Sequence, residues 1–501
     1  MKTRIIFIAV LAFSLVSCSK NLLNLKPIDT ATVGNFYQTQ SQIKEAVNGV
    51  YAGMDSWPVN IYLLMSEVRS NNLYGVTHDA HRDWWDLTTF TVSPDGTDLV
   101  HTVWQNLYRM INRANTVLES INNVKFTDPS LKAQYTAETR FLRAYAYFQL
   151  VRIYGNVPLI KKTITPAEGI KIGQSKPADV YSFIISEMNA AIKVLPPSYD
   201  GADQGRVTKW AAEGILAKVY LTMAGYPLKD NSHENDAKAL LKDIMNQEGT
   251  YVNFAPNYAD MFKLSNQNKY FLFEVEFTPG GNGNGTNYPV YIIPSDISTD
   301  SIPYGGFTSA TRLAISPDLM NSYDSTDVRF NATIDTSYTQ VGDTTIGHTP
   351  FYHKFIDPSA ASSVVSHYDW PDNFPLLRYA DVMMMYAQIL NDQNGAPPAE
   401  AVSILNRIRE RAGLSDIHPA TKAAFQSALN LEERHEFADE GQWWWYLVRT
   451  GQAVNTINTW SAATGGQGGQ TVNINDNKLI YAIPQSEIDI YPGLYTQNPG
   501  Y

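Results

Sequence analysis

Helix-length segments with apolar residues at three-and-four spacing recur along this chain, and this recurrence limits the folds open to it more than any other feature. Between residues 99 and 121, Val103, Leu107, Met110, Ile111, Ala114 and Leu118 fall on one helical face. The next segment, AETRFLRAYAYFQLVRIYGNVPL, repeats the pattern with Ala137, Phe141, Ala144, Tyr145, Phe148 and Val151, and Gly155 and Pro158 supply its stop. ADVYSFIISEMNAAIKVLP, RVTKWAAEGILAKVYLTMAGYP and ENDAKALLKDIMNQE follow. In these, Ala190, Ala191, Ala211, Gly214, Ala217, Ala237 and Ala239 sit where neighbouring helices would touch. RYADVMMMYAQILNDQ and AEAVSILNRIRERAGL form a late pair joined by NGAPP.

Antiparallel helix pairs with small contact residues resemble tetratricopeptide repeats, whose period is about 34 residues. The expected fold class is therefore mostly α: a tetratricopeptide-like helix-pair scaffold with a loop-rich region containing short β-strands. The scaffold is expected over about 36–250 and 377–450, the loop-rich insertion over about 251–376, and an extended tail over about 451–501. Within the insertion, KYFLFEVEF alternates. Phe271, Phe273, Val275 and Phe277 share one face of a predicted strand, with Glu274 and Glu276 on the other. TPGGNGNGTNYPVYIIPSD reads as a flexible loop followed by a second strand-like run. An insertion of this length, dense in Ser, Thr, Asp, Gly and Tyr, is where binding residues are expected.

Met1 to Ser17 has Lys2 and Arg4 ahead of an apolar run too short to span a membrane, the layout of a secretory signal. The string LVSCS places small residues before Cys18, the single cysteine, in the pattern of a bacterial lipobox. Cleavage there makes residues 18–501 one mature domain tethered by lipid on Cys18. Loss of Lys2 and Arg4 leaves 36 of the 38 basic residues against 49 acidic ones, a formal charge of −13. That balance argues against nucleic acid as a partner.

Several chemistries are ruled down. GGNGNG invites a phosphate-binding reading, but that needs a strand before it and a helix N-terminus after it. HDAHRD offers two imidazoles and two carboxylates at a spacing that matches no helix-borne metal motif, so no metal is expected. No GxSxG elbow is present and no cofactor is expected. Carboxylates are abundant enough that composition alone leaves a glycosidase pair open. ERHEFADEGQWWW, the most enzyme-like string, reads as a structural ion-pair helix.

The ordered set of WWDLTTFTVSPD, AETRFLRAYAYFQLVRIYGNVPLI, FPLLRYADVMMMYAQIL, ILNRIRERAGL, EERHEFADEGQWWWYLVRTG and YAIPQSEIDIYPGLYTQNPGY, behind the lipobox, resembles the SusD/RagB family of Bacteroidetes surface lipoproteins. The resemblance covers nearly the whole mature chain. It implies a non-catalytic protein that captures oligosaccharide and delivers it to a SusC-like TonB-dependent outer-membrane transporter, the helical scaffold leaning on the transporter and the loops facing the ligand. Peptide capture on the same scaffold is the alternative, and a surface glycoside hydrolase the distant third. Two departures stand out: Trp443 and Tyr446 occupy positions where the family usually has Arg and Asp, and Tyr491 stands where Asn is common.

The resemblance also sets HRDWWDLTTFTVSPD at or beside the ligand site. A sugar offers a face of C–H groups to an indole and a rim of hydroxyls to polar neighbours. Trp84 is expected to contact ligand and Trp85 to be structural, with Asn72, Tyr74 and Arg82 in support. Tyr288, Tyr291 and Tyr304 are added because they flank glycine- or proline-rich turns.

Overall fold

The computed structural model describes residues 36–77, 83–96, 98–297, 299, 302–306, 312–341, 345–466 and 470–501. Cys18, Arg82 and the HDAHR stretch lie outside them. The scaffold helices are α1 (Gln40–Tyr51), α2 (Asp98–Ser120), α3 (Pro129–Tyr154), α4 (Pro177–Ile192), α5 (Lys209–Met223), α6 (Glu234–Met245), α7 (Tyr379–Asp392), α8 (Ala399–Arg411) and α9 (Lys422–Glu436).

Local chemistry explains their starts. Thr39 caps α1 through a reciprocal box in which its hydroxyl accepts from the Gln42 N–H and the Gln42 amide oxygen accepts from its own, both at 3.2 Å. α3 begins earlier than the apolar period implies, because Asp128 accepts from the Ser130 N–H at 2.8 Å and Pro129 occupies the first helical position. From Phe141 to Tyr154 every residue of α3 is buried, so α3 is the central post.

The helices stack in succession: α1 and α2 on α3, α3 on α4, α4 on α5, α5 on α6, α6 on α7, and α7 on α8 and α9. The contact of α6 with α7 joins helices on either side of the insertion, so the scaffold continues as though the insertion were absent. The neck of the insertion is a two-stranded antiparallel ladder. In it β2 (Phe271–Val275) meets β4 (Phe374–Arg378), with Phe374 opposite Val275 and Leu377 opposite Phe273. A second ladder pairs β1 (Leu73–Gly75) with β3 (Leu313–Ile315) and ties the insertion to the first helices. One hydrophobic cluster runs from Ile43 to Ile483.

Two segments differ from expectation. The YPVYII run is the short helix Tyr288–Ile292, begun by Pro289 in its first turn, because a short apolar run with a proline at its head suits a helical turn as well as a strand. The expected extended tail contains the helix Ala453–Thr464, closed by Gly465 at φ 73°.

ERHEFADEG is the end of α9 and the turn after it, and its Glu436 and Glu440, with Glu432 just before, are buried among cations. Glu436 meets Arg378 at 2.8 Å and Arg329 at 3.4 Å, with Arg411 also against it. Glu440 meets Lys354 at 2.6 Å and Arg378 at 2.7 Å, and Glu432 meets Arg329 at 2.8 Å. Burial alone would raise the Glu436 carboxyl, but Arg411, Arg378 and Arg329 overcome it and hold it well below the usual range. Next to this network Trp443 and Tyr446 stack at 5.5 Å and 13°, with the indole N–H on Asn71 and the phenol on Asn430. The aromatic pair thus packs as a unit beside the buried network.

Candidate functional site

The DWWDLTTF stretch folds into a short helix, Trp84–Thr89, that ends on Phe90 in the left-handed region. The Asp83 carboxylate accepts from the Leu99 N–H at 3.3 Å and anchors it to the start of α2. The Thr88 hydroxyl accepts from the Gly75 N–H at 2.9 Å, fixing the helix against β1. A Cβ at Gly75 would lie 2.6 Å from the Trp84 carbonyl carbon, so only glycine permits this approach.

Successive residues of a helix differ by about 100° in direction, so Trp84 and Trp85 have different environments. Trp84 is 3% exposed and shares the inward face with Leu87 and Thr88, while Trp85 is half-buried. This corrects the assignment of the ligand-facing ring to Trp84 and the structural one to Trp85: the inward stripe takes the first indole. The Trp84 ring meets Tyr291 edge-on at 6.4 Å.

Two further candidates are also removed from any ligand by burial. Asn72 is 0% exposed; its amide donates to Glu67 at 3.1 Å and its oxygen accepts from Arg434 at 2.8 Å. Tyr288 is 2% exposed, its ring lies between Phe355 and Phe374, and its hydroxyl donates to the Asp439 carboxylate at 2.7 Å. Both hold the core under the site.

Tyr74, Trp85, Tyr291 and Tyr304 keep part of their surface. Alternation along β1 buries Leu73 and Gly75 and turns Tyr74 the other way. Contacts join the Tyr291 and Tyr304 segments. A Cβ at Gly306 would lie 2.3 Å from the Ile293 oxygen, so the Tyr304 segment rides on the end of the helix bearing Tyr291. The Tyr304 hydroxyl donates to the Val365 oxygen at 2.9 Å and its ring lies 5.0 Å from His367, which bonds to the Gly305 oxygen at 2.9 Å. Beside His367, Tyr368 is 58% exposed.

His367 and Tyr368 were absent from the sequence-based candidates. Their signal was readable, since SHYDW, like HRDWWD, puts aromatics among polar residues in a loop. The carboxylates near these residues serve the loops. Asp369 accepts from the Gly280 and Gly281 N–H groups at 2.8 and 3.0 Å, and Asp296 accepts from Tyr338 and Gln340, both at 2.7 Å. GGNGNG is in fact followed by a short helix rather than a strand, and the case against phosphate rests instead on those amides being taken by Asp369. No group of carboxylate, imidazole or thiol side chains among the described residues could hold a metal ion.

Residues 23–221 match a family described as "Starch-binding associating with outer membrane", and residues 216–501 match the SusD family. A SusD-like protein of Bacteroides ovatus is 27% identical over 89% of this chain and 82% of its own length. Among solved structures, a laminarin-binding SusD-like protein superposes with a TM-score of 0.75 at 26% identity, covering 93% of this chain and all of its own. Surface glycan-binding protein A from Bacteroides thetaiotaomicron, in complex with laminarihexaose, superposes at 0.76 with 23% identity, over 92% of this chain and all of that one. No helix among the described residues is long and apolar enough to cross a membrane. With both halves matched in sequence and the whole scaffold matched in shape, the chain belongs to the SusD/RagB family.

Proposed function

We propose that this protein is a non-catalytic, surface-displayed glycan-binding lipoprotein, anchored through lipid on Cys18, that captures oligosaccharide and passes it to a SusC-like TonB-dependent outer-membrane transporter. The observation that carries the reading is a set of part-exposed aromatics: Tyr291, Tyr304 and Tyr368 on the insertion and Tyr74 and Trp85 on the segments ahead of α2 offer ring surface, and His367 offers a polar partner. Pyranose C–H faces pack on such rings while the rim hydroxyls find hydrogen-bonding partners. Two structural neighbours are named for laminarin or laminarihexaose, so β-glucans head the panel.

Calorimetry of the lipid-free protein against laminarin, starch and other polysaccharides tests this, with a peptide library and a turnover assay alongside. Saturable binding to at least one glycan without turnover is expected. Binding to peptides alone, or hydrolysis of a bound glycan, would replace the proposal. Membrane attachment is tested separately: Cys18→Ala removes the thiol to be acylated and should abolish fatty-acid labelling and, since each buried CH2 of a lipid contributes about 0.8 kcal/mol, release the protein from the membrane.

A further inference from the structure

The helical period sets two rows of residues side by side on α2. Trp104, Tyr108, Ile111 and Asn115 recur at steps of four, three and four, and Gln105, Arg109 and Asn112, each one position on, form a second row turned by about 100°. Both rows line one side of a cavity of about 360 Å³. Its other side is built by Pro158 and Ile160 from the segment after α3 and by Glu487 and Tyr495 from the C-terminal tail.

The first row is the floor. The Trp104 ring lies 5.0 Å from Tyr108 and 6.4 Å from Tyr495, at 50° and 56°, so rings from distant parts of the chain meet there. Tyr108 and Tyr495 are half-buried, whereas Gln105, Arg109 and Asn112 at the rim are exposed. The walls are tied to one another. The Tyr108 hydroxyl donates to the Pro158 oxygen at 2.8 Å, and the Asn115 amide donates to the Ile160 and Lys162 oxygens at 3.1 and 3.0 Å. The tail is pinned on either side of the chain's last turn: the Thr496 N–H donates to the Gln174 amide oxygen at 2.8 Å, and the Asn498 amide donates to the Tyr154 and Tyr481 oxygens at 2.8 and 2.6 Å. A cavity with walls fixed in this way is preorganised, so little ordering is left for a ligand to offset.

We propose that this cavity is a second glycan-binding site, on the helical scaffold, taking one or two neutral sugar rings of an oligosaccharide, with Tyr108 and Tyr495 against the ring faces and Gln105 and Asn112 on the hydroxyls. The lining holds one cation, Arg109, and one acid, Glu487, so no net charge selects an ion. Half-buried phenol rings offer surface to C–H faces, and each amide offers both a donor and an acceptor to a hydroxyl. A purely apolar ligand would strip water from the Gln105, Arg109 and Asn112 side chains without replacing its hydrogen bonds. The volume lies within the range of small-molecule pockets. The class of ligand rests on the glycan reading above, but the site shares none of the residues that carry that reading.

Calorimetry of the lipid-free protein with laminarihexaose and with maltohexaose is the test, with melting temperature alongside. Two oligosaccharides per chain are expected for at least one of these sugars. Tyr495→Ala should weaken one of the two binding events about tenfold and leave the other, and Asn112→Ala, at an exposed helix position that alanine suits, should do the same with melting unchanged. Trp85→Ala should act on the other event alone. A single event that Tyr495→Ala and Asn112→Ala both leave unchanged would overturn the second site and keep the glycan reading. An effect of Tyr495→Ala that comes with a lowered melting temperature and is absent from Asn112→Ala would overturn it as well. Binding of neither sugar would also overturn it, and the glycan reading falls with it only if the wider polysaccharide panel is silent too.

Discussion

Two clusters of buried acid differ in what surrounds them. Glu432, Glu436 and Glu440 are met by Arg329, Arg378, Arg409, Arg411 and Lys354, whereas Glu274 shares its cavity with Glu276 and Asp55 and with an arginine already committed elsewhere. Glu436 is held ionised and Glu274 is driven toward the neutral form, although both read in sequence as members of closely spaced glutamates. The difference teaches that cations within reach, rather than local acid density, decide whether a buried carboxylate is held ionised or neutral.

The largest effect is expected where compensation is removed. Arg378→Met leaves Glu436 and Glu440 short of a partner and should cost about 3 to 5 kcal/mol in urea unfolding. A loss under about 1 kcal/mol would break the comparison. The same contrast exists in apolar form between adjacent tryptophans. Trp84→Ala should lower stability by about 3 to 5 kcal/mol, because a buried indole leaves a cavity.

Trp85→Ala should change melting little and weaken glycan binding about tenfold, or about 1.4 kcal/mol, the usual scale for an aromatic anchor. The reverse pattern in paired melting and calorimetry would return the ligand role to Trp84.

A further effect, read by its sign, sharpens the comparison. Glu436 titrates lower folded than its ordinary 4.5, so its contribution is present above about pH 4.5 and is lost as pH falls. Glu274 titrates at about 8 against 4.5, so its contribution is full below about pH 4.5 and is lost as pH rises toward 8. Glu274→Gln should therefore flatten the decline in stability between those values and leave the acid limb unchanged, as read from urea midpoints across pH.

The scaffold was legible because helical periodicity is local: each segment carries its own apolar stripe, small contact residues and stop, and α2, α4, α6, α7 and α8 lie close to where the spacing sets them. The strand at Phe271–Val275 was legible for the same reason, as was the structural role of ERHEFADEG. The candidate site was legible only as a region. Tyr74, Trp85, Tyr291 and Tyr304 keep exposed surface, but Asn72 and Tyr288 are core, and of the two indoles Trp84 is the buried one. The three-residue spacing of Trp84 and Leu87 already marked the inward stripe, yet it shows only once the segment is recognised as helical.

What the sequence determined by itself is whatever depends on near neighbours along the chain: where helices form, where they stop, and which faces are apolar. Only the tertiary structure decided which polar groups meet a partner. Asn72 finds Arg434, Tyr288 finds Asp439, and Glu436 finds Arg378, while Glu274 is carried to a wall whose Arg206 is bonded elsewhere. Periodicity says that a side chain turns inward or outward, but the energy of a buried charge depends on groups within a few ångströms, and in a stacked helical scaffold those arrive from distant parts of the chain.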